Sequence, residues 1–205
     1  MKIADLRDAL TNYGWVKERI LAKVTTLDKV GADMVYVPVL GLAIVPIIKI
    51  EDNGTVAWVR VNKMMSRVWD KTENEVIDDA LSNLNVRVVN LGKAFITGDI
   101  RGEDIYDDID LNGETAVAVM GNYTNGAAAI FKYGVADRMC ELFGTDEVLF
   151  VFTSIHEAMV HPGGTDAEGI RKALRYTHET EVDPEERLSE EVYAYDRNTK
   201  EFRVV

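Results

Sequence analysis

The first 24 residues place apolar side chains at every third or fourth position, which is the spacing of one face of an amphipathic helix. These positions are Ile3, Leu6, Leu10, Tyr13, Val16, Ile20 and Val24. Gly14 falls between two of them and is a position at which the helix could divide. The pattern predicts an N-terminal helical arm, which we assign to residues 1–35.

Further along the chain, runs rich in β-branched residues are separated by residues that favour turns. Asn53-Gly54 suits a tight hairpin turn with positive φ, and Asn125-Gly126 is predicted to reverse a second pair of strands. Residues 85–96 are interpreted as a strand pair or an extended segment. The other predicted strands are 34–50, 55–61, 115–120, 127–131, 148–152, 192–195 and 202–205.

Helix-start signals lie between these strands. Thr72 and Glu75 have the spacing of a capping box, in which each side chain accepts a hydrogen bond from the other residue's backbone N–H. Ser154 and Glu157 repeat this spacing, so a helix is also predicted to begin at Ser154. Two more helices are predicted, at residues 135–143 and 166–177.

Hairpins that alternate with helices predict an α+β fold, with a mixed or antiparallel sheet and packed helices after the N-terminal amphipathic helix. A length of 205 residues fits one domain with an added arm. We therefore predict a helical arm over residues 1–35 and a single α+β domain over residues 36–205.

Charge is concentrated in one part of the sequence. The chain carries 35 acidic and 23 basic residues, a net charge of −12, which disfavours direct binding to the phosphates of DNA or RNA. Between residues 99 and 114, seven acids accompany one base, Arg101. We call these acids the acidic segment: Asp99, Glu103, Asp104, Asp107, Asp108, Asp110 and Glu114. They form either a solvated loop or a docking surface for a basic partner.

Three features indicate a cytoplasmic protein without membrane contact. The lone Cys140 falls in an apolar helical pattern, which predicts a packed thiol in a reducing compartment. Asp5 and Asp8 interrupt the N terminus where a secretion signal needs an apolar core. The longest apolar run, residues 34–48, is shorter than the roughly 20 residues that span a bilayer.

His156 and Glu157 are the candidate catalytic residues if the protein is an enzyme. Metalloprotease helices place two histidines four residues apart, whereas His161 follows His156 by five, and five helical steps rotate the two imidazoles apart. A three-ligand site would need His178 and an acid such as Glu157 or Asp166 as well. No metal ligand, cofactor or catalytic residue is therefore assigned.

A second motif is incomplete. Asp108, Asp110, Asn112 and Gly113 match the first half of a calcium-binding loop, but Val119 stands where such a loop needs a bidentate acid. We interpret Asn112-Gly113 as a hairpin turn, and a weak calcium site built from the acidic segment stays open.

Several segments taken together resemble a family pattern. The most specific are Ser154-Ile155-His156-Glu157 and the Pro-Glu-Glu-x-Leu-Ser…Val-Tyr-x-Tyr-Asp pattern of residues 184–196, supported by residues 42–46, 68–69, 80–83 and 124–130. They resemble the C-terminal half of an uncharacterised domain-of-unknown-function family, common in clostridial-type bacteria and their mobile elements, over about residues 40–196. The resemblance implies a phage or plasmid gene, and it assigns no activity to the protein.

The incomplete catalytic sets and the clustered charge favour a non-catalytic interaction or regulatory protein. Its partner would be a basic protein bound through the acidic segment. An inhibitor of a host nucleic-acid-binding or defence protein, such as an anti-CRISPR-like inhibitor, is one version. The alternatives are a small metal-dependent hydrolase that uses His156 and Glu157, and an assembly subunit that forms homo-oligomers.

Overall fold

The computed structural model of the chain describes residues 3–98, 100–111, 113–122 and 124–205. Contacts within the chain group it into two compact units, Met1–Leu84 and Asn85–Val205. The domain boundary between residues 35 and 36 stays a prediction, because the grouping of contacts does not test which part folds independently.

The first unit is a four-stranded antiparallel sheet with helices. Its elements are α1 (Ile3–Thr11), α2 (Tyr13–Lys17), β1 (Ile20–Thr26), β2 (Val37–Val39), β3 (Leu42–Asp52), β4 (Thr55–Arg60), α3 (Lys63–Val68) and α4 (Glu73–Ser82). The long β3 is central: β1 pairs with one of its edges, while β2 and β4 pair with successive parts of the other. Most of β3 is buried, so it forms the core of this unit.

Two predictions in the first unit need correction. The predicted helix ends early, because residues 20–26 form β1, in which Ile20, Ala22 and Val24 are buried with the two-residue period of a strand. The predicted strand 34–50 is instead a hairpin, because Leu40 and Gly41 adopt positive φ and turn β2 into β3. The Asn53-Gly54 hairpin and the Thr72–Glu75 capping box are confirmed.

The second unit is a seven-stranded antiparallel sheet in the order β11-β10-β8-β9-β7-β5-β6. Its elements are β5 (Val86–Asn90), α5 (Leu91–Thr97), β6 (Glu103–Asp104), β7 (Val117–Gly121), α6 (Val135–Phe143), β8 (Glu147–Ser154), β9 (Glu157–Pro162), α7 (Ala167–Thr180), β10 (Tyr193–Asp196) and β11 (Glu201–Val204), with 3₁₀ turns at Gly126–Phe131 and Pro184–Glu186. The antiparallel sheets and the N-terminal helix confirm the α+β class.

Helices cover both faces of this sheet beside β8. Leu149 and Val151 point towards α7, where they pack with Ile170 and Leu174. Phe150 lies on the opposite face, in an aromatic cluster that includes residues from β10, β11 and the 3₁₀ turn 126–131. Strand β8 is therefore buried on both faces, as its continuous apolar sequence predicted.

Two strand predictions in the second unit are wrong in part. Residues 127–131 form a 3₁₀ turn with four buried small or apolar positions, because alanine favours strands weakly and this segment packs against the sheet instead of joining it. Residues 85–96 divide into β5 and α5, with Asn90 accepting a hydrogen bond from the Lys93 N–H to begin the helix. No helix in the described part of the chain is long and apolar enough to cross a membrane.

Candidate functional site

The Ser-Ile-His-Glu run forms the turn of a β-hairpin. Strand β8 ends at Ser154, β9 begins at Glu157, and the two residues between them make the connection. The Ser154 hydroxyl accepts a hydrogen bond from the His156 N–H at 3.0 Å, and Thr153 Oγ1 donates to Glu157 Oε1 at 2.8 Å. The predicted capping box and helix are therefore wrong, because the same side chains support a tight turn.

Hydrogen bonds hold both ring nitrogens of His156. Nδ1 accepts from the backbone N–H of Asn125 at 3.0 Å, so the neutral ring carries its proton on Nε2. Nε2 lies 3.3 Å from Oε1 of Glu186 and donates to this carboxylate. The imidazole is 38% exposed. The result is an oriented, partly exposed imidazole paired with a carboxylate.

Backbone contacts also join the segments that contain Asn125, His156 and Glu186 around this turn. The Ala127 N–H donates to the Ile155 carbonyl at 3.2 Å, and the Ile155 N–H donates to the Glu186 carbonyl at 3.0 Å. A Cβ at Gly126 would overlap the backbone at the end of β7 and lie 2.8 Å from the His156 carbonyl oxygen, so a side chain here would force the backbone apart. Three of the segments that carry the family resemblance, residues 124–130, 154–157 and 184–196, therefore meet at one place.

The other two histidines make separate contacts. His178, in the last turn of α7, is buried, and its Nε2 lies 3.1 Å from the Thr153 carbonyl oxygen. His161, on β9, places Nδ1 3.0 Å from the Thr115 carbonyl oxygen, and burial lowers its pKa. Within the described residues, no group of three His, Cys, Asp or Glu side chains is arranged to hold a metal ion.

The acidic segment forms a fixed rim of the second unit. Glu103 and Asp104 form β6 and pair with β5, and Lys93 Nζ lies 2.6 Å from Glu103 Oε1. Asp107, Asp108 and Asp110 are exposed, whereas Glu114 is partly buried. Asp99 and Asn112 lie outside the described residues, so the predictions made for them stay predictions.

The backbone of the acidic segment is anchored from inside. Ile105, Ile109 and Leu111 are buried between the acids. Arg138 of α6 donates from Nε to the Ile105 carbonyl at 3.2 Å and from Nη2 to the Asp107 carbonyl at 3.1 Å. The carboxylates are thus presented on an ordered backbone.

Cys140 is fully buried on α6, as predicted, and burial raises the pKa of its thiol to about 11. Sequence reasoning singled out His156 but missed its partners at Asn125 and Glu186. Both belong to segments of the family resemblance, which was the available signal. Their contact with His156 depends on the tertiary fold, since Glu186 lies 30 residues further along the chain.

Comparison with known proteins identifies a family. The profile of DUF5688, a family of unknown function, matches residues 4–197, so the match begins well before the resembling region that starts at about residue 40. Searches of curated proteins and of solved structures each return no significant match. Because the matched region spans nearly the whole chain, the protein belongs to the DUF5688 family.

Proposed function

We propose that this protein is a non-catalytic interaction or regulatory protein, which binds a basic partner protein through the acidic segment. The main support for the proposal is that buried apolar residues alternate with exposed acids along that segment. Ile105 and Ile109 are buried while Asp107, Asp108 and Asp110 between and beside them are exposed. A loosely solvated loop has no need of such anchors, whereas a docking surface gains from carboxylates that are already positioned.

Exposed aromatic side chains accompany the carboxylates. Tyr106, between Asp104 and Asp107, is 65% exposed, and Tyr133 is 96% exposed. Tyr133 follows Lys132, whose pKa is lowered by burial while the Asp104 carboxylate acts in the opposite direction. Tyrosine is enriched in protein interfaces and its ring attracts lysine and arginine side chains, so these residues suit a basic partner.

A narrower version follows from the family resemblance. It is that a phage or other mobile element of clostridial-type bacteria encodes the protein, which inhibits a host nucleic-acid-binding or defence protein, for example as an anti-CRISPR-like inhibitor. Carboxylates on an ordered rim can occupy a groove that normally binds phosphates. The expected result is that DNA or RNA competes with this protein for the partner.

The test is affinity purification of the tagged protein from its native host, at low and moderate salt, with three versions compared. The first is the unchanged chain, and the second carries Asp107→Asn, Asp108→Asn and Asp110→Asn. The matched control carries Glu179→Gln, Glu181→Gln and Glu201→Gln, which remove the same charge from exposed acids elsewhere in the unit. A stoichiometric basic partner should be lost only from the second version.

Two outcomes contradict the proposal. One is recovery of the same partner in equal amount with all three versions, which would show that these carboxylates do not contribute. The other is that no protein co-purifies at either salt concentration. The second outcome directs attention to the hydrolase alternative.

The metal-dependent hydrolase alternative has one favourable observation, the oriented and partly exposed imidazole of His156. Its weakness is that a general base needs a nitrogen lone pair that is available to substrate. Nδ1 of His156 already accepts from Asn125, and Nε2 donates to Glu186. Measurement of metal content and of hydrolase activity in the unchanged protein and in His156→Ala tests this alternative directly.

A further inference from the structure

Strand β4 presents an open hydrogen-bonding edge. Just after β4, the Val61 N–H points towards β3 and donates to the Pro46 carbonyl at 3.3 Å. On β3, the Lys49 N–H points to the opposite edge of that strand and donates to the Arg19 carbonyl at 2.9 Å. Because hydrogen-bonding direction alternates along a strand, the backbone groups of Thr55, Ala57 and Val59 face β3. Those of Val56, Trp58 and Arg60 face outwards, and no strand in the described part of the chain pairs with them.

This edge has few of the features that normally prevent strands from associating. Protected edges carry charges, proline or bulges, or are covered by another element. Strand β4 contains one charge, at Arg60, no proline and no bulge. Val56 and Trp58 are 45% and 38% exposed, so an apolar stripe runs along the open edge. Such an edge is a template for the addition of another strand.

The edge is complementary to a second copy of itself. In antiparallel pairing about a two-fold axis at Trp58, the two Trp58 residues face each other and Val56 faces Arg60 of the other copy. Glu51 lies directly beside Val56 on β3, so Arg60 of the other copy can reach across Val56 towards the Glu51 carboxylate. The same ion pair then forms twice, and no like charges face each other on β4.

We propose that two copies of this chain associate through β4, which joins their four-stranded sheets into one continuous antiparallel sheet. The contact involves a different surface from the acidic segment. Screening reduces the repulsion between two chains that each carry −12 but also weakens the two Arg60–Glu51 pairs, so substitutions on β4, and not salt, distinguish this contact from one made by the acidic segment.

The test is sedimentation and light scattering of the purified full chain at concentrations up to about 100 μM, a range that detects weak homodimers. The unchanged protein should reach twice the monomer mass of 22.9 kDa. Val56→Pro removes an outward N–H without removing a β3 hydrogen bond, and Trp58→Lys places a charge on the edge. Each should weaken dimerisation at least about tenfold. Val68→Lys, at an exposed apolar site on α3, is the matched control and should leave it unchanged.

Amide hydrogen exchange identifies the surface that is used. The amides of Val56 and Trp58 should become protected as the protein concentration rises, because only the dimer pairs them. A protein that stays monomeric at the highest concentration overturns the proposal. So does a dimer in which these two amides exchange as fast as in the monomer, since that result assigns the contact to another surface. Circular dichroism of Val56→Pro establishes that loss of the dimer is not loss of the fold.

Discussion

Replacement of His178 tests how the candidate site is held in place. Phe152 pairs with Ala158 and Ser154 pairs with Glu157, so Thr153 is an extra residue that forms a β-bulge just before the turn. The Nε2–H of His178 lies 3.3 Å from the Phe152 carbonyl and 3.1 Å from the Thr153 carbonyl. His178 thus donates to backbone carbonyls at the bulge.

His178→Leu removes this donor from a site where the side chain is only 3% exposed. A buried carbonyl left without a partner costs about 1–3 kcal/mol, so we expect unfolding free energy to fall by about that amount. For a chain of this size, each kcal/mol corresponds to about 2–4 °C in Tm. His178→Gln retains an N–H at similar reach and should recover much of the loss.

Urea unfolding should be followed by far-ultraviolet circular dichroism and by tryptophan fluorescence. Trp15, Trp58 and Trp69 all lie in the first unit, whereas His178 lies in the second. Circular dichroism therefore reports both units, whereas tryptophan fluorescence reports the first unit, so the loss of stability should appear in the circular dichroism transition. The reasoning fails if His178→Leu is as stable as the unchanged protein, or if His178→Gln loses as much stability as His178→Leu.

Three further predictions concern single contacts. Gly126→Ala should lower the unfolding free energy by about 1–3 kcal/mol in urea unfolding, because its Cβ would overlap the backbone of Gly121; full stability would contradict this. Thr72→Ala should cost about 1 kcal/mol, seen by tryptophan fluorescence, because the side-chain acceptor for the Glu75 N–H is lost; an unchanged midpoint would contradict it. Burial lowers the pKa of His161 from 6.5, so as the pH falls the unfolded chain takes up a proton before the folded chain does. At pH values below about 6.5, folding stability should therefore decrease more in the unchanged protein than in His161→Gln. Equal pH profiles of the two proteins would contradict this.

Local sequence signals predicted those elements whose causes are local. The Asn53-Gly54 turn needs only two residues that tolerate positive φ, and both adopt it. The Thr72–Glu75 capping box likewise depends on side chains three residues apart, and both of its hydrogen bonds form. The α+β class followed from the sum of such signals, since hairpins impose antiparallel pairing.

Other patterns had two physical interpretations, and tertiary structure decided between them. Ile20 and Val24 are spaced for a helix, but Ile20, Ala22 and Val24 also alternate as a strand does, and pairing with β3 satisfies the strand. Ser154 and Glu157 suit both a helix cap and a tight turn. The apolar residues of β8 and β9 on either side bury more surface as a hairpin, which the local pattern could not reveal.

The geometry around His156 bears on what the family resemblance means. A histidine next to a glutamate invited a catalytic interpretation, yet Glu157 bonds to Thr153, and the carboxylate that pairs with His156 is Glu186. Three of the resembling segments, residues 124–130, 154–157 and 184–196, contribute to the same contact, so loss of Asn125, His156 or Glu186 as a partner would leave a donor or acceptor in the others unsatisfied. Segments that depend on one another in this way stay together whether or not the protein is an enzyme. These contacts give the resembling segments a role in folding, and the search for function is better directed at exposed groups such as the carboxylates of Asp107 and Asp108 and the open edge of β4.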